Sequence, residues 1–117
     1  MEPSAKVVPH LNDQEKRTLA ELKSALYVLL GDRLARLALF GSKARGDESE
    51  ESDLDVAIVV KGLNRELKRK ILNIVTDIES RNLTVLSTFI ISSEEFDHLR
   101  KRERRIALDI EKEGVPL

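Results

Sequence analysis

The 117-residue chain has no cysteine, which excludes disulfides, thiolate catalysis and cysteine-ligated zinc. Aromatic residues make up 3% of it, too few to build a platform on which single-stranded bases stack. Neither sign of charge dominates: 20 Lys and Arg stand against 21 Asp and Glu, for a net charge of −1. No bulk field draws such a chain onto nucleic acid, so direct nucleic-acid binding is expected only through a local patch. The longest uninterrupted apolar run is Ala25 to Leu30. A membrane span needs about 20 such residues, so no membrane association is expected. The start, Met1-Glu2-Pro3-Ser4, has neither a basic segment nor an apolar one behind it, which makes a cytoplasmic location the expectation.

What is present reads as one globular domain over residues 1–117. Charged residues reach 35% and hydrophobic ones 41%, a composition that can fill a core. Residues 1–11, with Pro3 and Pro9, lack periodicity and read as an extended lead-in. Asn12 or Asp13 then caps a helix whose apolar stripe is Leu19, Leu22, Leu26, Leu29 and Leu30, ending at Gly31. Leu34 to Phe40 predicts a strand, Gly41 to Ser52 a loop with one helical turn, and Asp53 to Val60 a second strand. Leu67, Ile71, Ile74, Val75 and Ile78 place one apolar face on a helix over Leu63 to Ser80. Leu83 to Ile91 predicts the third strand. Ser92 with Glu95 forms a capping-box pattern that opens a further helix. A last helix carries Ile106, Leu108 and Ile110, with Gly114 as its cap and Pro116 beyond. The order α-β-loop-β-α-β-α-α predicts an α/β (α+β) domain: a small mixed three-stranded sheet with helices mainly on one face and an open cleft at the other face or its end.

The chemistry concentrates between Leu37 and Val56. Aspartate is a poor strand former, yet Asp53 and Asp55 open an otherwise apolar strand. Strand residues two apart face the same side at about 6.6–7 Å, so the two carboxylates share a patch while Leu54 and Val56 point to the core. Like charges so placed call for a cation between them, and hard oxygen ligands suit Mg²⁺ or Mn²⁺. Just upstream, Gly41 follows a strand directly and Ser42 offers a hydroxyl and an N–H. A helical turn opening there has free amides suited to a phosphate, with Lys43 and Arg45 adding positive charge. A Gly-Ser turn is common by itself, and so is an Asp-x-Asp at a solvated strand end. Together, on consecutive apolar strands, they set a phosphate cradle beside a divalent-metal site, which phosphoryl and nucleotidyl transfer require.

Phe40-Gly41-Ser42-Lys43-Ala44-Arg45-Gly46 with Ser52-Asp53-Leu54-Asp55 resembles the signature of the DNA polymerase beta-like nucleotidyltransferase superfamily, and within it the minimal nucleotidyltransferases. Weaker likeness covers Ser92-Ser93-Glu94-Glu95-Phe96 and Glu113-Gly114-Val115-Pro116-Leu117. The resemblance implies that fold and a nucleoside triphosphate substrate, ATP by expectation. Gly41 and Ser42 would hold the phosphates and Asp53 and Asp55 would bind Mg²⁺. It also implies a partner. Many members act with a HEPN-domain protein (higher eukaryote and prokaryote nucleotide-binding) as a toxin–antitoxin pair, the nucleotidyltransferase neutralising a HEPN ribonuclease, in some cases by transferring AMP to it.

The chain departs from that family pattern at one place. Active members carry a third carboxylate on the next core strand, as metal ligand and general base. Here Leu83 to Ile91 contains no Asp or Glu, and the equivalent position falls near Thr84, Leu86 or Ser87. Asp77 and Glu79 on the preceding helix are the nearest substitutes. Two readings therefore stand side by side: an AMP-transferring enzyme, and an antitoxin that works by binding its HEPN partner without catalysis. A third rests on Arg100-Lys101-Arg102-Glu103-Arg104-Arg105, read as a solvent-facing helix with internal ion pairs or as a contact for RNA or an acidic partner. Asp47, Glu48, Glu50 and Glu51 read as a solvated loop edge, and His10 and His98 as surface residues. Oligomeric state, including a homo-oligomer, is left open by the sequence.

Overall fold

The computed structural model describes residues 11–45 and 53–117, without the side chains of Ser42 and Arg45. Residues 1–10 and 46–52 lie outside that description, and with them the lead-in except Leu11, which is buried in the core, and His10, Gly46, Ser52 and the acidic loop edge.

The first helix, α1 (Asp13–Leu30), begins where local chemistry dictates. The Asn12 side chain accepts from the Glu15 N–H at 2.7 Å, and the Glu15 carboxylate accepts from the Asn12 N–H at 3.0 Å. This reciprocal capping box satisfies two donors that a helix start leaves unpaired. Leu19, Leu22, Leu26 and Leu30 recur at spacings of three and four and are all buried. A single 3₁₀ turn (Gly31–Arg33) leads into β1 (Leu34–Phe40). A short helix, α2 (Gly41–Arg45), follows at once, then β2 (Leu54–Val60) and α3 (Arg65–Asn82). The Asn64 side chain caps α3 by accepting from Leu67 N–H at 2.8 Å. β3 (Leu86–Ser92), α4 (Ser93–Lys101), α5 (Arg105–Glu113) and a two-residue β4 (Val115–Pro116) complete the chain.

The strands form one sheet in the order β3-β2-β1-β4. β1 runs antiparallel to β2, and β3 runs parallel to β2 after the α3 crossover. Alternation along β2 separates two cores. Leu54, Val56, Ile58 and Val60 pack with the apolar stripes of α1 and α3. Ala57 and Val59 face the other way, onto Phe96 of α4 and Ala107 and Ile110 of α5. Arg36 of β1 ties this second side together: its guanidinium lies 5.3 Å from the centre of the Phe96 ring and 3.9 Å from the Glu111 carboxylate. Asp55 continues the Ala57 and Val59 side of β2, and Asp53, which the sequence placed in the strand, precedes it.

Two features differ from the sequence expectation. The sheet has four strands, because Val115 and Pro116 pair with Leu39 and Ala38 at the edge of β1. Pro116 lacks the N–H a central strand needs, which edge pairing tolerates. Gly114 makes the chain's return possible, since a Cβ there would collide with the Ile110 carbonyl oxygen. The basic run Arg100 to Arg105 is not one helix face. It spans the end of α4, a turn with Glu103 at φ +54°, and the cap of α5. Only Arg100 of that run is ion-paired among the described residues, to Asp97 at 3.0 Å and Glu111 at 3.6 Å. No described helix is long and apolar enough to cross a membrane.

Candidate active site

The site begins where β1 stops. Phe40 is the last residue of β1 and pairs with Asp55 of β2. The next residue, Gly41, has φ +77°, a conformation that costs a side-chain-bearing residue about 1 kcal/mol or more. A second constraint is steric: a Cβ on Gly41 would overlap Oδ2 of Asp55 and come within 3.1 Å of its Cγ. Backbone turn and carboxylate are thus in direct apposition, and only glycine admits both. The chain then enters α2, whose first N–H groups lack intrahelical partners.

Asp55 is half-buried on the Ala57 and Val59 side of β2, and Asp53 is exposed and immediately precedes the strand. The β2–β3 register pairs Asp55 with Ser87, which is exposed and shares that side. Of the three residues the resemblance points to for the third carboxylate, Ser87 is the one beside Asp55. Leu86 is buried in the core under α1 and α3, and Thr84 precedes the strand. Neither Asp77 nor Glu79 of α3 substitutes for it. The Glu79 carboxylate accepts from the Leu86 N–H at 2.7 Å and so caps the edge of β3. Asp77 binds Arg81 at 3.0 Å, and its hydrogen bond and charge, with Glu21, hold the Arg81 guanidinium above its usual range. α3 also packs on the opposite side of the sheet from Asp55. Among the described residues, no cluster of three or more His, Asp or Glu side chains forms a metal cage.

Lys43 occupies a place the sequence did not suggest. Its Nζ lies 3.1 Å from Oε2 of Glu15, and the two side chains are 8% and 11% exposed. Its ammonium is therefore committed to α1 and not to the phosphate cradle predicted for it. The reason is packing: α2 presses Ala44 onto the main core, which turns Lys43 toward the start of α1. Glu15 is the residue that sequence reasoning missed. One oxygen caps α1 and the other holds α2, and the Asn12-x-x-Glu15 capping pattern was the available signal. His98 is exposed on α4.

Two hard carboxylates close together at a strand start suit a divalent ion whose remaining ligands are water and phosphate oxygens. The bare backbone at Gly41 lets the Asp55 carboxylate lie directly against the start of α2.

The chain also resembles known proteins in sequence. The family model for "Polymerase beta, Nucleotidyltransferase" matches residues 28–117. Two relatives in Methanocaldococcus jannaschii are each named "Putative protein adenylyltransferase". One is 46% identical over 59 residues, covering 50% of this chain and 60% of that protein. The other is 44% identical over 45 residues, covering 38% and 45%. The matched segment thus spans about half the length of these curated relatives. A crystal structure of "a putative nucleotidyltransferase from Sulfolobus solfataricus" aligns with 88% of this chain and 75% of its own, at a TM-score of 0.49 and 22% identity. With its family model matched over residues 28–117, the chain belongs to the polymerase beta nucleotidyltransferase family.

Proposed function

We propose that this domain transfers AMP from ATP to a hydroxyl group of a protein, and that a HEPN-domain protein is the acceptor. The observation that carries the reading is the apposition of Gly41 and Asp55, which sets a bare backbone turn against a metal-binding carboxylate. The relatives' names, which specify adenylyl transfer to protein, support the choice of nucleotide and acceptor.

In this reading Asp53 and Asp55 hold Mg²⁺, and the backbone of Gly41 and Ser42 holds the phosphates. When bound, the ion neutralises charge on the phosphate oxygens and orients the leaving pyrophosphate. The acceptor oxygen forms a bond to the α-phosphorus while the bond from that phosphorus to the bridging oxygen breaks. Pyrophosphate leaves with the electron pair, and the hydroxyl proton passes to water. Ser87 cannot take that proton near neutral pH, because a serine hydroxyl is not a base there. Loss of a general base costs roughly 10²–10⁴ in rate, so turnover is slow. Lys43 and Glu15 act by fixing α2 and with it the phosphate-binding backbone.

The serine at position 87 also favours a second reading, in which the domain inactivates its HEPN partner by binding alone. One experiment separates the two. The protein is incubated with the partner, Mg²⁺ and ATP labelled on the α-phosphate. Label on the partner that disappears in Asp53→Asn and Asp55→Asn supports transfer. A tight complex formed by the wild type and both variants, with no label in any of them, supports binding alone.

A further inference from the structure

Resting on the reading that the partner is a protein, we infer that an acidic segment of that partner, dotted with apolar side chains, docks in a groove between β3 and the α4–α5 turn. The groove has a volume of about 370 Å³ and is lined by Ile91, Glu95, His98, Leu99, Arg102 and Arg104. Ile91 and Leu99 form an apolar floor on which leucine- or valine-sized side chains fit. The rim is cationic. Arg102 and Arg104 are exposed, have no ion pair among the described residues, and are flanked by Lys101 and Arg105 in the same condition. Glu95 is the one carboxylate lining the groove, and it is part of the α4 cap, its Oε1 lying 3.4 Å from the Ser92 hydroxyl.

The cations are presented on a fixed backbone. The Arg102 N–H donates to the His98 carbonyl at 3.0 Å, Glu103 N–H to Arg100 at 3.0 Å, and Arg104 N–H to Leu99 at 2.9 Å. A preformed rim costs less ordering on binding than a mobile one. The position also suits an acceptor. Val59 pairs with Ile91 as Asp55 pairs with Ser87, so the groove floor and the carboxylates share one side of the sheet. Four residues separate them along the strands, about 13 Å. A docked segment need extend only about four residues to bring a hydroxyl to Asp55. An RNA strand fits less well, since no Phe, Tyr or Trp is among the described residues lining the groove, and Glu95 and Glu103 interrupt the cations that a phosphate track needs.

The test is fluorescence anisotropy with a short labelled peptide of Asp, Leu and Ser, its counterpart with Lys for Asp, and an oligouridylate of matching length. The wild type binds the acidic peptide with a Kd below about 1 mM. Arg102→Glu/Arg104→Glu weakens this roughly tenfold or more and gains affinity for the lysine peptide. Arg102→Gln/Arg104→Gln weakens the first without the gain, and both variants keep the wild-type melting profile. Unchanged binding of the acidic peptide in the variants overturns the inference, as does no saturable binding to the wild type. Preferential binding of oligouridylate that the variants lose overturns it in favour of RNA. Mg-ATP binding is measured in parallel: acidic-peptide binding with no nucleotide binding refutes the adenylyl-transfer reading and leaves the docking groove standing.

Discussion

The ion pair between Glu15 and Lys43 makes a quantitative test of how α2 is held. Glu15→Gln keeps the side chain's shape and an oxygen to accept the Asn12 N–H, so the α1 cap survives while the counter-charge of Lys43 is removed. At 3.1 Å and an effective dielectric near 20, the attraction is about 5 kcal/mol before desolvation is counted. Desolvation offsets much of that in the intact pair, but a single deletion leaves a buried charge alone and costs about 3–5 kcal/mol. For a chain of 117 residues, unfolding entropy of about 2.1 cal/mol/K per residue converts each kcal/mol into about 4 °C, so Tm falls by about 12–20 °C. Removing both charges with Glu15→Gln/Lys43→Met should restore most of the loss, to within about 1 kcal/mol of the wild type. Thermal melts and urea titrations of the wild type, Glu15→Gln, Lys43→Met and the double variant measure the cycle. Since Gly41 and Ser42 ride on α2, Glu15→Gln should also weaken Mg-ATP binding at temperatures where it is folded. A Glu15→Gln cost below about 1 kcal/mol, or a double variant as unstable as the sum of the singles, refutes the account.

Gly41→Ala combines an unfavourable φ with a collision against Asp55, and should lower stability by about 1–3 kcal/mol while abolishing nucleotide binding in isothermal calorimetry. Ser87→Asp places a carboxylate beside Asp55 in register, and should raise labelled AMP transfer to the partner by roughly 10²-fold or more if proton removal limits the rate. No increase, with nucleotide bound normally, would point to the binding-only reading. Asn64→Ala removes the side chain that accepts the Leu67 N–H, and should cost about 1 kcal/mol in urea unfolding with nucleotide affinity unchanged.

The parts of this molecule that followed from sequence are those set by local periodicity and caps. Leu19, Leu22, Leu26 and Leu30 define α1, and the alternation of Val56, Ile58 and Val60 with Ala57 and Val59 defines β2, because each pattern permits one backbone period. The Gly-Ser turn and paired aspartates were legible for the same reason, both being short-range. What escaped depends on contacts between distant segments. Glu15 and Lys43 are far apart in sequence, and Lys43 alone reads as a cation beside the phosphate cradle. β4 is two residues long, too short for any period, and its proline argues for a helix stop until the edge of β1 is seen beside it. The identity of the third-carboxylate position required a register, which a strand pattern alone leaves free.

That register gives the site its chemical character. Because Leu54 pairs with Leu86, Ser87 falls beside Asp55 and not one residue away on the core side. A slip of one residue would bring Leu86 or Thr88 to the site and bury Ser87 among the side chains under α1 and α3, which a seven-residue strand packed on two cores resists. The hydroxyl beside Asp55 is therefore fixed by the same packing that holds the sheet together. Neutral at physiological pH, it adds no third negative charge to those of Asp53 and Asp55. An arrangement with less like-charge repulsion holds a divalent ion more weakly and tolerates its absence better. Dependence of stability on added Mg²⁺ should accordingly be steeper in Ser87→Asp than in the wild type, and thermal melts at increasing Mg²⁺ measure that difference independently of any transfer activity.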